Sequence, residues 1–552
     1  MNVPSASRLT ELLPRAADYE GFRTGWRADV IAGLTVAVVA LPLALGFGIA
    51  SGLGARSGLI TAIVAGLIAA VFGGSNVQVS GPTGAMTVVL VPIVARYGAD
   101  AVLVVGLLAG AVVVTAALFR AGRYLAFVPW PVIEGFTVGI ALIIVLQQVP
   151  AALGVAKPAG DNTLAVAVTT LTRVPGEANA SALLIVLLTL AFMAVAPRIH
   201  RSLPASLLAV VAATIVTQVF DLSVAHIGSL PASLPLPRLP EMSIGRTADL
   251  FGAALAVAAL AAIESLLSAR VADGMSDGAR HDSDRELFGQ GLANLVSPLF
   301  GGMPATGAIA RTAVNARAGA RSRVAAIVHA TALLGVVFLA ASIVSKIPVA
   351  ALAGVLIFTG VRMIERHNVA AVVRATRPDA VVFGLTAAAT VAFDLIVAIE
   401  IGMAVAAVFA LRAVAVSAAA TPSPIQIELD ASDERKLLAH HIVAYRLDGA
   451  LFFGAAQRFL TELTNVTDAR VVILRMPDLQ VLDATGAQAL GEIVGHLESR
   501  GITVLLKGTR PTHLHALRAV GALNRLASER HIFADLDDAV RHAETHVSRV
   551  AH

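Results

Sequence analysis

Cysteine is absent from the 552 residues, so neither disulfides nor thiol chemistry can enter the function. Charge is scarce as well: 14% of residues are Asp, Glu, Lys or Arg, where a soluble protein carries about a quarter. Aromatic residues make up only 5%, which counts against a site built to stack on flat bases. A cleavable leader is not expected, because residues 1–28 are charged and Pro-interrupted and the apolar run after them is too long for a signal segment. The scarcity of charge is concentrated: Val30 to Ala55 holds none in 26 positions and Ser57 to Ala95 none in 39. About 20 helical residues cross a bilayer core of about 30 Å, so these runs describe a polytopic α-helical membrane protein.

The formal net charge of +4 invites a nucleic-acid reading, but its distribution argues against one. Residues 421–552 hold 14 Lys/Arg and 16 Asp/Glu, leaving 27 and 21 for the preceding 420. Charge density therefore rises near Thr421, where TPSP interrupts the helical pattern. The expected organisation is a cytoplasmic N-terminal segment at 1–28, a transmembrane domain at 29–420 and a cytoplasmic soluble domain at 421–552. With the N-terminus inside, fourteen basic residues fall in cytoplasmic loops and seven on the other side. That bias places both termini in the cytoplasm of a cell (inner) membrane.

Two stretches resemble one another. VFGGSNVQVSGPTGAMTVV (71–89) and LFGGMPATGAIARTAVN (299–315) each close an apolar run with FGG, break at polar or Pro residues, and resume with Thr-Gly and small residues. A short, Gly/Pro-interrupted segment in each half points to a transporter of inverted repeats, with two half-helices meeting near mid-membrane. Unpaired N–H groups and aligned peptide dipoles at such N-termini attract an anion. Gly84 and Gly307 would let a ligand approach the backbone, and Thr83 and Thr306 add hydroxyls. Arg311, four residues after Gly307, adds a cation to the same field; the bland alternative is that it snorkels to the cytoplasmic surface.

Acids inside apolar runs are few: Glu134, Glu264, Asp394 and Glu400. Such residues are functional candidates by default. Glu264 is the deepest, with Ser268 one helical turn on, so carboxylate and hydroxyl share a helix face. The pair suits a coupling ion, H⁺ or Na⁺, though a structural carboxylate paired with Arg311 or Arg270 would read the same. Glu134, Asp394 and Glu400 read as structural or interfacial, and Asp29 as a helix N-cap. Pro42 would kink the first spanning helix or expose its backbone.

Other signals lead nowhere. GLGARSG (52–58) lacks the Lys-Ser/Thr ending of a phosphate loop, and RHDSDRE (280–286) reads as a solvated loop. Nine of the 14 histidines lie after residue 439, without a metal-like i, i+4 pair in an apolar setting, and no metal site or enzyme active site is expected. The tail alternates short strands with amphipathic helices, which suggests a small α/β domain. Within it LDATGAQAL sets Thr485 at a strand-to-helix turn, where its hydroxyl caps the helix or accepts a phosphoryl group.

The stretches DVIAGLTVAVVALPLALGFGIASG, SGPTGAMTVV, VPWPVIEGFTVGIAL and GQGLANLVSPLFGGMPATGAIARTAVN, with the LDATG tail, together resemble the SulP family of inorganic anion transporters, which includes prestin, over nearly the whole chain. The tail resembles a STAS domain. The resemblance implies fourteen spans as 7+7 inverted repeats, core and gate domains, and a homodimer. It also implies an anion site between the third and tenth helices, lined by the first and eighth. Carried over, that site comprises Thr83, Gly84, Gly307, Ala308, Ile309, Ala310 and Arg311, with Glu264 and Ser268 for the coupling ion. ALPLALGFGIASG and ELFGQGLANL look most like the cyanobacterial sodium-dependent bicarbonate transporter. There, however, an Asp sodium ligand stands in place of Glu264, a Thr in place of Ile309, and Arg311 has no counterpart; these departures put sodium coupling in doubt.

The expected function is secondary active transport of bicarbonate or sulfate by alternating access, coupled to H⁺ or Na⁺, with no resident cofactor and no nucleic-acid partner. An anion-binding receptor signalling through the STAS domain, or a nucleobase carrier of the same fold, uses many of the same features.

Overall fold

The computed structural model describes residues 10–410 and 442–549, apart from 124–127, 159, 161, 201–203, 231–232, 240–243, 277–279, 394–397, 399–400, 448, 452–468 and 478. Thr421 with its TPSP stretch, Asp394 and Glu400 lie outside the described residues. Two compact units emerge: residues 1–126 with 140–363, and residues 127–139 with 364–552.

In chain order the helices and strands are α1 (Glu20–Ala50), α2 (Gly54–Phe72), β1 (Ser80–Gly81), α3 (Gly84–Tyr97), α4 (Ala99–Leu118), α5 (Trp130–Gln147), α6 (Val149–Leu153), α7 (Thr163–Glu177), α8 (Ala180–Ile199), α9 (Ala205–Val219), α10 (Ile244–Met275), α11 (Ser283–Val296), β2 (Thr306–Gly307), α12 (Ile309–Arg317), α13 (Val324–Val344) and α14 (Val349–Met363). Next come α15 (Arg366–Ala375), α16 (Arg377–Ala392) and α17 (Ile401–Ala410). The soluble part comprises β3 (Ile442–Arg446), β4 (Gly449–Leu451), β5 (Val471–Arg475), β6 (Leu479–Leu482), α18 (Ala484–Ser499), β7 (Thr503–Lys507), α19 (Pro511–Ala519), β8 (Ile532–Phe533) and α20 (Leu536–Arg549).

Among the described residues seven helices are long and apolar enough to cross a membrane, and α3, α9 and α17 are shorter apolar helices. Lipid gives apolar helices no hydrophobic reason to associate, so close backbone approach through small residues has to supply the contact. α1 and α2 meet in this way: a Cβ on Gly58 would lie 2.0 Å from the Ala44 carbonyl oxygen, and one on Gly48 would lie 2.4 Å from that of Gly54. α4 and α11 do the same at Gly110 and Gly291. α1 continues through Pro42, which has no N–H to give the Val38 carbonyl one turn earlier.

Asp29 is not the N-cap expected of it. The helix begins nine residues earlier, and the buried Asp29 carboxylate instead accepts the Arg321 and Ser322 N–H groups at 2.7 and 3.0 Å and the Ser322 hydroxyl at 2.6 Å. It caps the turn that leads into α13, a partner 292 residues away in sequence.

The two FGG stretches end where the chain leaves helix for β1 and β2, and these two-residue strands pair antiparallel, Ser80 with Gly307 and Gly81 with Thr306. α11 holds both. Its Gln290 donates to the Ser80 hydroxyl at 2.6 Å, and one turn on Asn294 exchanges two hydrogen bonds with the Ala305 backbone at 2.8 and 2.9 Å. Glu286, a turn earlier, accepts from Gly74 N, Ser75 N, Gln78 Nε2 and Gln290 Nε2 at 2.8–3.1 Å.

In the second unit β3, β5, β7 and β8 form a parallel sheet in the order β3-β5-β7-β8, with β4 and β6 as a separate parallel pair. Parallel pairing requires crossovers; α18 supplies the one from β5 to β7 and α19 the one from β7 to β8. α18 buries Leu490, Ile493 and Val494 with Leu474, Val504 and Leu506, giving the α/β domain expected of the tail.

Glu286→Ala would orphan four donors, at roughly 1–3 kcal/mol for each buried one. That approaches a typical total stability of about 5–15 kcal/mol. The variant is expected to fail to give monodisperse protein in detergent size-exclusion chromatography, with Glu286→Gln intermediate.

Candidate functional site

The strand pair brings the starts of α3 and α12 together within the first unit. Thr83 is the N-cap of α3 and accepts from Met86 N at 3.3 Å. Ala308 is the N-cap of α12, with no side-chain acceptor of its own. Its N–H goes instead to the Val79 carbonyl at 2.8 Å.

Glu264, from the middle of α10, reaches both repeats. Its Oε2 accepts from the Thr306 hydroxyl at 2.7 Å and the Thr83 hydroxyl at 2.9 Å. The two threonines are themselves 3.3 Å apart. The neighbouring Ser265 hydroxyl accepts the Gly307 N–H at 2.9 Å. A carboxylate and two hydroxyls meeting at one point form a hard oxygen set, suited to a proton or a small alkali cation.

Ser268 does not join that set. Its hydroxyl lies 3.0 Å from that of Thr312, which also accepts from Val79 N at 3.0 Å. Although one helical turn apart, the two residues serve different contacts: Glu264 meets Thr83 and Thr306 at the crossing point, and Ser268 meets Thr312 on α12.

Arg311 is the third residue of α12 and is only 2% exposed. Its guanidinium donates from Nη2 to the Pro82 carbonyl and packs against Gly81, while Nη1 is buried without a hydrogen-bond partner. This is not the snorkelling position of the bland reading; the cation lies across the gap, against the chain that leads into α3. Ile309, at 38% exposure, and Ala310 open the first turn of α12 outward, whereas Thr83, Thr306, Gly307 and Ala308 are buried.

The two glycines are taken up by packing. A Cβ on Gly84 would fall 2.2 Å from Ile144 Cδ1, and one on Gly307 would fall 1.9 Å from Gln78 Nε2. Ile144 and Phe47 therefore lie directly over the start of α3.

This architecture matches known proteins. The sulfate permease family matches residues 26–386, and the STAS domain residues 437–539. The chain belongs to the sulfate permease family. It is 34% identical to YvdB of Bacillus subtilis, provisionally named a sulfate transporter, over 93% of this chain and 97% of that one. It is 32% identical to the bicarbonate transporter BicA of Picosynechococcus over 84% of this chain and 85% of the other. The solved transmembrane domain of a cyanobacterial BicA superposes with a TM-score of 0.63 at 33% identity, covering 68% of this chain and 97% of that domain. The murine anion transporter Slc26a9 in its inward-facing state shares the fold, with a TM-score of 0.66 at 16% identity over 99% of this chain and 96% of the other. The SulP-type fold with a C-terminal STAS domain is thereby established.

Several residues had not been singled out from the sequence. Gln290 and Asn294 stand at i, i+4 within GQGLANL, a polar pair on one face of an apolar helix that could have signalled their role. His329, in α13, is fully buried with both ring nitrogens lacking partners. His542 and His546 do form an i, i+4 pair on α20, contrary to the expectation for the tail, and His531 joins them. Glu134 proves structural, accepting from Trp130 Nε1 at 3.0 Å and Asn368 at 3.1 Å. In the LDATG turn the cap is Asp483, not Thr485: its carboxylate accepts Gly486 N at 2.7 Å. The Thr485 hydroxyl accepts the Trp130 N–H at 3.2 Å, while Asp379 accepts Ala484 N at 3.0 Å.

Thr83→Val and Thr306→Val each keep side-chain shape and remove one hydroxyl from Glu264. Each is expected to lower stability by about 1.5–3 kcal/mol, as for hydrogen bonds to charged groups. Because both act on one oxygen, the double variant should fall short of additivity by at least about 0.5 kcal/mol, measured by unfolding in detergent as a double-mutant cycle.

Proposed function

We propose that the protein is a secondary active transporter of a small inorganic anion, bicarbonate or sulfate, working by alternating access. The observation that carries this reading is the buried Arg311 guanidinium at the facing starts of α3 and α12, with Nη1 unpartnered. Helix N-termini attract anions and a desolvated guanidinium demands one. The anion would sit among Thr83, Gly84 and residues 307–311, entering over the exposed first turn of α12. Ile144 and Phe47 would have to yield at the start of α3. Family membership and the names of the relatives, bicarbonate for BicA and sulfate for others, support the same substrate class. Neither a receptor role nor a nucleobase substrate gains support from them.

On this reading Glu264, with the two threonine hydroxyls, holds the coupling ion, H⁺ or Na⁺, and Ser268 supports α12 rather than the ion. The protein acts as a transporter rather than an enzyme, as a homodimer in the cell (inner) membrane with both termini cytoplasmic.

The test is uptake of labelled bicarbonate into proteoliposomes, with and without excess unlabelled sulfate, under an inward H⁺ and then an inward Na⁺ gradient. Flux under one gradient identifies the ion at Glu264, and competition by sulfate identifies the broader carrier. Loss of a charged hydrogen bond worth about 1.5–3 kcal/mol should weaken apparent anion affinity roughly 10- to 100-fold in Arg311→Ala. Glu264→Gln should leave anion binding measurable but remove the response to the driving gradient. Wild-type-like uptake in both variants would remove the site from consideration.

A further inference from the structure

The C-terminal part of the soluble domain brings together three histidines that the transport reading does not use. α20 lies against the sheet through Ala539 and Ala543, buried with Ile473 and Leu505, and through Val540 and Val547. Its position is therefore fixed by an apolar stripe, and His542 and His546, one helical turn apart, stand at that stripe's margin, half-buried. His531, at the end of the turn Glu529–His531 that leads into β8, is 3% exposed and faces them. One donor nitrogen from each ring can be chosen so that all three lie within 4.8 Å of one another. The three ring centroids are 4.9–5.4 Å apart, and the rings are inclined to one another by 60–87° rather than stacked.

We infer that His531, His542 and His546 form a binding site for a divalent late transition metal, with Zn²⁺ the reference case. Zn–N bonds of about 2.0–2.1 Å in a tetrahedral site place neighbouring ligand nitrogens about 3.3–3.4 Å apart. His542 Nε2 and His546 Nε2 are 3.3 Å apart. His531 has to close only the remainder of a separation already within 4.8 Å. Its Nδ1 is buried with no hydrogen-bond partner, a loss that coordination by this ring would relieve. The same ring has a hydrogen bond to the Val504 backbone, the kind of outer contact that fixes the orientation of a metal-binding imidazole. Three imidazoles select zinc, copper, nickel or cobalt over magnesium and calcium, and leave a fourth position for water or an exogenous ligand. The metal would staple the end of α20 to the approach to β8.

Full-length protein purified with a tag free of histidine, stripped by a chelator and titrated with Co²⁺, tests this. One equivalent of tightly bound Co²⁺ with the intense visible absorption of a tetrahedral or five-coordinate nitrogen site is expected. His542→Ala, His546→Ala and His531→Gln should each weaken binding at least roughly 10-fold and abolish that absorption, as loss of one of three ligands requires. The exposed His226→Ala, in the other unit, should change neither. Zn²⁺ should raise the unfolding temperature of the wild type and not of the three variants, a readout that separates lost metal from lost fold when the metal-free melts coincide. Failure of the wild type to take up Co²⁺ at micromolar concentrations, or uptake unchanged in all three variants, would overturn the assignment.

Discussion

A backbone that leaves the helix inside a bilayer must find hydrogen-bond partners within the protein, and this requirement governs the architecture around the two broken segments. Each interruption exposes several N–H and C=O groups, and lipid offers them nothing. β1 and β2 satisfy one another at the crossing point, but a two-residue ladder is too short to satisfy the flanks. The surroundings complete it with side chains: Asn294 on Ala305, Thr61 on Met303, Thr312 on Val79, Ser265 on Gly307 and Asn315 on Val77. Polar residues that look out of place on apolar helices are thereby explained. The crossing can exist only where those residues converge, so it is held as a rigid element, which is what a site at two helix starts needs.

The charges of that element favour an anion. Two helix N-termini contribute about +0.5 each and Arg311 contributes +1, while an ionised Glu264 returns −1. The sum is about +1, matched by a monovalent anion. On the proposed reading, a coupling ion that neutralised Glu264 would raise the sum to about +2, so that ion and anion would favour one another's binding. At an effective dielectric of about 20, unit charges roughly 8 Å apart interact by about 2 kcal/mol, roughly a 30-fold mutual effect on affinity. On that reading the two ligands would bind cooperatively, in both directions by linkage, and alternating access would carry them across together. The threonines matter because they tie the acid to the first turn of each half-helix, keeping its charge where the anion can feel it.

Where this was legible in the sequence, the reason was local. FGG leading into Pro and Thr-Gly inside an apolar run has no use in an uninterrupted helix, so 71–89 and 299–315 declared themselves, and so did Arg311 within the second. The partners were not legible, because they are distant: Thr83 and Glu264 are 181 residues apart, and Asp29 caps a turn 292 residues away. A cap is recognised in sequence by the two or three residues on its C-terminal side, and Asp29 has its acceptor role elsewhere. The glycines illustrate a different ambiguity. Gly84 and Gly307 signal close approach, but the sequence cannot say whether ligand or side chain makes it, and here Ile144 and Gln78 do. The histidine group escaped notice because HAETH supplies only two of its members, and the third arrives through the turn before β8.

The soluble domain shows the same economy of caps in a setting where the partners have opposite origins. Trp130 is the first residue of α5 and Ala484 the first of α18, so each carries an N–H that its own helix cannot satisfy. The Thr485 hydroxyl of α18 takes the first, and the Asp379 carboxylate of α16 takes the second. Asp379 is itself oriented by the Thr376 hydroxyl at 2.6 Å, so the capping group cannot swing away to another donor without breaking a second bond. α18 thus caps α5 and is itself capped by α16. Separating them would orphan two N–H groups, and if water could not reach them the cost would be about 1–3 kcal/mol for each. That is small enough for a binding event at the LDATG turn to outweigh, and large enough to hold the turn against α5 and α16 in its absence. A hydroxyl at position 485 is therefore best understood as part of a joint, one whose strength lies in the range that a single charge or ligand can alter.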